Sequence, residues 1–277
     1  MATSTDSRPL AEAIDSLTTQ QHSRRRLMKL AAAGGISLAA MKMFNPAKAL
    51  AASPALTGGP TDGATQFAAI PGSTINAKVL NFALTLEILE SDLYRQALNL
   101  ASGMPRDNEL APSPNVYSLK VGGGGLSSAN TQAGFLYLKQ FAYVEAAHRD
   151  FLETAISAAG YTAALKNLGG YEFTTQPAAN MKSILTQILP LEETGVRAYL
   201  GALPYLTDLS LAQVAGSIYS TEARHSAVVN YTLGNDPGPQ PRPGDLEVVQ
   251  NPVGTDTFEY YLKPSTVVTA VSPYFVK

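Results

Sequence analysis

The chain has 277 residues, 45% of them hydrophobic and 15% charged, enough to bury a core in one or two domains, which excludes disorder of the whole. It has no cysteine, so disulfide frameworks, thiolate zinc sites, iron–sulfur clusters and thiol nucleophiles are excluded, and any metal must be held by nitrogen and oxygen. The net charge of −2 hides a split: residues 1–49 carry seven basic and three acidic groups, while the other 228 carry 13 basic against 19 acidic, a balance that argues against a nucleic-acid partner.

The first 49 residues read as an address. Residues 23–29 run Ser-Arg-Arg-Arg-Leu-Met-Lys, and an apolar, charge-free stretch follows from Leu30 to Met41. Small residues around Ala47, Ala49 and Ala51 then supply a cleavage site. The order resembles a twin-arginine signal peptide, with Leu27 standing where the pattern prefers Phe. As a helix the apolar stretch covers about 18 Å, short of the roughly 30 Å of a bilayer core, so no stable span is expected once the signal is removed. The resemblance implies a periplasmic or extracellular protein that folds, and loads any metal, before export. Residues 50–73 are expected to form a flexible linker.

From residue 74 to 234 the periodicity is helical, and the expected fold class is all-α, a four-helix bundle. Helices are predicted near 75–100, 131–160, 178–203 and 208–233, with Gly160, Pro204 and Gly234 as stop signals. The connection 102–130 between the first two holds Pro105, Pro112, Pro114 and four consecutive glycines, 122–125. Its length suggests a crossover, and the glycines read as a flexible loop, since no Lys-Ser/Thr follows them to make a phosphate cradle. Residues 235–277 are a Pro-rich spacer followed by an extended, mostly non-helical tail, expected to lie over the bundle without a core of its own.

Chemistry concentrates in the helices. After residue 49 there are only two histidines, His148 and His225, and each follows a glutamate by three positions: Glu145-x-x-His148 and Glu222-x-x-His225. Both pairs fall within apolar stripes, where an unpaired charge would cost several kcal/mol, and an i, i+3 offset lets both side chains reach one ion. The first and third helices each place a glutamate in the apolar stripe with a tyrosine seven residues later: Glu87 with Tyr94, and Glu192 with Tyr199. Glu90 also falls on the buried side of the first helix, with Asn81, Thr85, Asp92, Gln96 and Asn99 expected outside. Glu193 falls at the edge of the stripe that Glu192 centres.

This pattern across four helices resembles the ferritin-like superfamily, in which such residues hold two iron or manganese ions. Residues 81–90, Asn-Phe-Ala-Leu-Thr-Leu-Glu-Ile-Leu-Glu, and 191–201, Leu-Glu-Glu-Thr-Gly-Val-Arg-Ala-Tyr-Leu-Gly, look like the exported ferritin-like group that includes desiccation-related proteins. The resemblance implies Glu87, Glu145, His148, Glu192, Glu222 and His225 as ligands to two Fe or Mn ions. Glu145 and Glu192 are the candidate bridging or chelating carboxylates. Glu90 would orient an imidazole from behind, and Tyr94 and Tyr199 are hydrogen-bond donors, electron relays or plain core tyrosines. Four carboxylates balance two divalent cations, so the loaded site can be buried.

The expected function is an oxidoreductase of peroxidase, catalase or ferroxidase type, its partner a small oxidant such as O2 or peroxide. A non-catalytic stress- or desiccation-protective protein is the alternative. Iron storage would need a closed oligomeric cage, which the long connection and non-helical tail do not favour.

Overall fold

The computed structural model describes residues 59–162, 180–239, 248–249 and 259–274. Residues 1–49, expected to form an export signal, and the expected cleavage site lie outside the described residues. Four long helices dominate: α1 (Ile75–Ala101), α2 (Ser128–Ala158), α3 (Met181–Ala202) and α4 (Leu209–Leu233). Each begins on a polar cap whose side chain accepts an otherwise unbonded N–H of the first turn. Thr74 takes Ala77, Ser127 takes Asn130, Asn180 takes Ser183, and Asp208 takes Ser210 and Leu211. Gly234 ends α4 in the left-handed conformation that only glycine adopts without strain.

Side-chain contacts fix the helix directions. Tyr94 meets Phe141 and Arg149 reaches back to Ser91, so α1 and α2 run antiparallel. Glu193 bonds Ser226 and Asn230, while Gly195 faces Glu222, so α3 and α4 do as well. Tyr94 bonds Glu192 and Tyr199 bonds Glu87, which sets α1 antiparallel to α3. It follows that α2 and α3 are parallel. The first connection is therefore not the crossover its length suggested, since it joins two antiparallel helices; residues 163–179 of the second connection lie outside the described residues. The first connection instead folds back over the end of α1, where Lys120 N–H donates to the Ala101 carbonyl.

That connection also corrects two further expectations. The four glycines are an ordered seat for α3: the carbonyls of Gly122 and Gly123 accept the N–H groups of Met181 and Lys182. Most of the polar face of α1 is buried, not solvated: Asn81, Thr85, Gln96 and Asn99 are buried and Asp92 is half-buried. Asn99 and Arg95 donate to the carbonyls of Arg106 and Asn108, and Asn81 donates to that of Thr162. Polar side chains at the helix surface here satisfy irregular backbone laid over them, the condition for burying either partner.

Within the stretch read as linker, residues 59–62 are exposed and the chain enters the core between Gly63 and Ile70. A single helical turn, Gly63–Gln66, precedes Phe67 and Ile70, both buried in the common core. At the other end β1 (Val248–Val249) pairs antiparallel with β2 (Tyr261–Leu262), and α5 (Pro264–Val271) follows. Leu262, Val267 and Val271 join the bundle core, so the tail completes that core. Ser265 bonds Gln66, Gln66 bonds Asp62, and Asp62 accepts from Tyr205, which clasps the two ends of the described chain over the α3–α4 turn. Among the described residues no helix is long and apolar enough to cross a membrane.

The strap formed by β2 lies so close to α3 that a Cβ on Gly201 would stand 1.9 Å from the Leu262 carbonyl oxygen. Gly201→Val is expected to lift the strap and destabilise the fold by about 1–3 kcal/mol, the range of an overpacked core. Urea unfolding would measure it; an unchanged midpoint would show that the strap contributes nothing.

Candidate metal centre

The six residues implied as ligands come from all four bundle helices and meet at one level of the core. Glu87, Glu145, His148 and Glu222 each offer one donor atom within a mutual distance of 4.8 Å, and Glu145, Glu192, Glu222 and His225 do the same. Two four-residue clusters thus share Glu145 and Glu222. Of the two carboxylates expected to bridge or chelate, Glu145 belongs to both clusters and Glu192 to one only, while Glu222 is the second shared residue.

Individual oxygens show how the sharing is built. His148 Nδ1 lies 3.1 Å from Glu145 Oε2, 3.3 Å from Glu222 Oε1 and 3.4 Å from Glu87 Oε2. His225 Nδ1 lies 2.7 Å from Glu145 Oε1, 3.7 Å from Glu192 Oε1 and 3.9 Å from Glu222 Oε2. Each shared carboxylate therefore turns one oxygen toward each imidazole. All four carboxylates are at 0% exposure, His225 at 3%.

Burial makes the electrostatics of this cluster costly without cations. Glu87, Glu192 and Glu222 are pushed above the usual carboxylate range by burial first, with repulsion from neighbouring carboxylates adding to it. Burial would raise Glu145 as well, but His225 and His148 on either side hold it at about 2. For the imidazoles burial acts downward; the carboxylates, led by Glu87 at His148 and Glu192 at His225, outweigh it and raise both.

The donor set fits metal ions. Glu87 Oε2, Glu145 Oε1, Glu192 Oε2, both oxygens of Glu222 and His225 Nδ1 are buried without a hydrogen-bond partner. Even the 2.7 Å approach of His225 to Glu145 lacks hydrogen-bond geometry. Buried orphan acceptors cost about 1–3 kcal/mol each, and more when charged, so so many in one place call for cations. Carboxylate and imidazole ligands without thiolate suit iron or manganese.

Behind the cluster the tyrosines cross. Tyr199 of α3 donates to Glu87 of α1 at 2.5 Å, and Tyr94 of α1 donates to Glu192 of α3. Burial, and then the facing carboxylates, push both hydroxyls far above their usual range, so they stay protonated donors. They are neither plain core nor bonded within their own helix.

The two halves differ. Phe141 stacks on His225 with ring centroids 3.8 Å apart, whereas Ile218 stands at the matching place, four residues before the other glutamate. The side chain of His148 is 17% exposed against 4% for His225. Glu90 does not orient an imidazole. Its Oε1 lies 2.8 Å from where a Cβ of Gly195 would stand, near Glu222, and its Oε2 has no partner. Gly195 follows Glu192 by three residues, as Glu90 follows Glu87, so a glycine on one helix makes room for the acid of the other. Burial, then Glu222 and Glu87, push the Glu90 carboxyl well up.

Sequence reasoning missed the network beside the cluster. Glu193, read as an edge residue, is buried; it pairs with Arg197 at 2.9 Å and accepts from Ser226 and Asn230 of α4. The i, i+4 spacing of Glu193 and Arg197 was the available signal.

Comparison with known proteins places residues 75–235 in a family described as ferritin-like domain. No curated protein matches the chain.

Proposed function

The chain belongs to the ferritin-like domain family, and from that premise we propose that its bundle binds two iron or manganese ions and works as an oxidoreductase on O2, peroxide or ferrous iron. The observation that carries the reading is the pair of clusters sharing Glu145 and Glu222, which offers four donors on each side for two neighbouring ions. When bound, such a pair supplies two electrons to one small oxidant without releasing a radical.

The protein's own residues do the rest. Glu87 with His148 and Glu192 with His225 are the end groups of the pair, and Glu145 and Glu222 join the halves. Tyr199 holds Glu87 by donating to Oε1, leaving Oε2 toward His148, and Tyr94 holds Glu192 by donating to Oε1, the oxygen that also lies 3.7 Å from His225, the role that supporting hydrogen bonds play around metal ligands. The Phe141 ring covers His225 and keeps water from that half. Oxidant and reductant then approach past His148. Export belongs to the same proposal, supported by Arg24, Arg25 and Arg26 before the apolar stretch 30–41.

Purified from the compartment it is exported to, the protein is expected to carry about two Fe or Mn per chain and to consume peroxide, or oxidise ferrous iron, at a rate lost in the Glu145→Ala, His148→Ala double variant. Two ions without turnover would support the stress-protective reading. A large hollow oligomer on sizing would support storage.

A further inference from the structure

Between the strap and the α3–α4 turn lies a cavity of about 620 Å³, within the range of about 300–1,000 Å³ that small-molecule sites occupy. Its wall is drawn from segments far apart in the chain. Glu259, Tyr261 and Lys263 stand two positions apart along the strap and so share one face, while Leu262 between them turns into the core. Tyr205 comes from the α3–α4 turn, Tyr219 from α4, and Asp62 from the stretch before the first helical turn. None of the six candidate metal ligands lines it.

The charges of the wall pair off with one left over. Asp62 accepts from Tyr205 at 2.8 Å and from Gln66 at 3.0 Å, which hold its carboxyl below the usual range, and Lys263 adds to that pull. Close to Glu259, Glu193 is paired with Arg197 at 2.9 Å. Glu259 is the remainder: its Oε2 is buried without a hydrogen-bond partner. A buried unpaired acceptor is costly, and a donor that carries positive charge offsets that cost best. The three tyrosines add a second requirement, since aromatic rings attract a cation and pack well against methylene groups. A neutral hydroxyl compound would satisfy the Glu259 oxygen but leave the negative charge uncompensated, and an anion would add to it.

We propose that this cavity binds a primary alkylammonium ion, with its ammonium group donating to Glu259 and its hydrocarbon part lying among Tyr205, Tyr219 and Tyr261. Such a ligand touches both clasped ends of the described chain, Asp62 on one side and the strap on the other. The site needs no metal, so it stands or falls apart from the oxidoreductase reading.

Calorimetric titration of the purified protein with n-hexylammonium chloride tests the proposal, with hexanol and hexanoate as neutral and anionic counterparts of the same length. One ammonium ion per chain is expected to bind, with hexanol about tenfold weaker or worse and hexanoate not bound. Glu259→Gln, which keeps the volume, should weaken the ammonium about tenfold, and Tyr219→Leu about threefold. The hexanol comparison reads the charge in the unaltered chain, so the test does not depend on the variants folding. Absence of saturable ammonium binding up to about 10 mM would overturn the proposal. So would hexanol binding as tightly as the ammonium, which would make the cavity a site for neutral amphiphiles, or an undiminished affinity in folded Glu259→Gln.

Discussion

Glu145→Gln is expected to cost the protein both metal ions, whereas Glu87→Gln or Glu192→Gln costs only one. The difference follows from which carboxylates are shared. Glu145 directs Oε2 toward His148 and Oε1 toward His225, so the neutral amide removes an anionic ligand from both clusters at once. Glutamine keeps the volume, which leaves packing out of the comparison. Metal analysis after dialysis should give about two ions per wild-type chain, below about 0.2 in Glu145→Gln and about one in Glu192→Gln. One ion retained in Glu145→Gln would make Glu145 an end group and return the bridging role to another carboxylate. Glu222 is expected to behave like Glu145, since its two oxygens divide in the same way.

The second large effect is on stability, and its sign depends on pH. In metal-free protein Glu87, Glu90, Glu192 and Glu222 hold their protons to higher pH than in the unfolded chain, because burial disfavours their charged forms. His148 and His225 also hold theirs longer, because the surrounding carboxylates outweigh burial. Groups raised in this way contribute stability below their unfolded values, roughly pH 4 for the carboxyls and 6.5 for the imidazoles, and lose it as pH rises through the folded ones. Glu145 acts oppositely, but its contribution is lost only as pH falls toward about 2.

Metal-free protein should therefore be most stable in mild acid and weaken steadily from about pH 5 to 8. Metal requires the deprotonated ligands, so its stabilisation grows over the same interval. With ions at a thousand times their dissociation constant each site adds about 4 kcal/mol, which for a domain of this size raises Tm by about 10 °C or more. Calorimetry of both forms between pH 5 and 8 should show the gap widening with pH. Equal melting temperatures at pH 7.5 would mean that the buried acids are neutral core groups.

How far the sequence could be read depended on whether the relevant partner was local. The Glu-x-x-His pairs lie within single helices, and a stripe of apolar neighbours marks their burial, so their place in the core was legible from residues 138–156 and 211–229 alone. The helix starts were legible to within a residue for α1 and α4, but α2 begins three residues before the predicted 131 and α3 three after the predicted 178, at the caps Ser127 and Asn180 that the periodicity alone did not mark. Contacts between helices were not legible. The seven-residue offset from Glu87 to Tyr94 repeats from Glu192 to Tyr199, yet each tyrosine serves the glutamate of the other helix, a choice made by the antiparallel approach of α1 and α3. Asn81 and Asn99 were misplaced for a related reason: a polar side chain marks a need for hydrogen bonds, and backbone from elsewhere in the chain meets that need as well as water does.

The clasp between the chain ends has a consequence in time. Ser265 and Leu262 are made after every group of the metal cluster, the last of which is His225, so during synthesis the four helices exist before the strap that seals α3. At about 5–20 residues per second the interval lasts a few seconds. Throughout it the apolar face that Leu262, Val267 and Val271 will cover is bare, and the bundle is held together by its four helices alone. A released chain truncated just short of residue 260 would thus hold all six residues of the cluster while leaving bare the apolar face that Leu262, Val267 and Val271 cover.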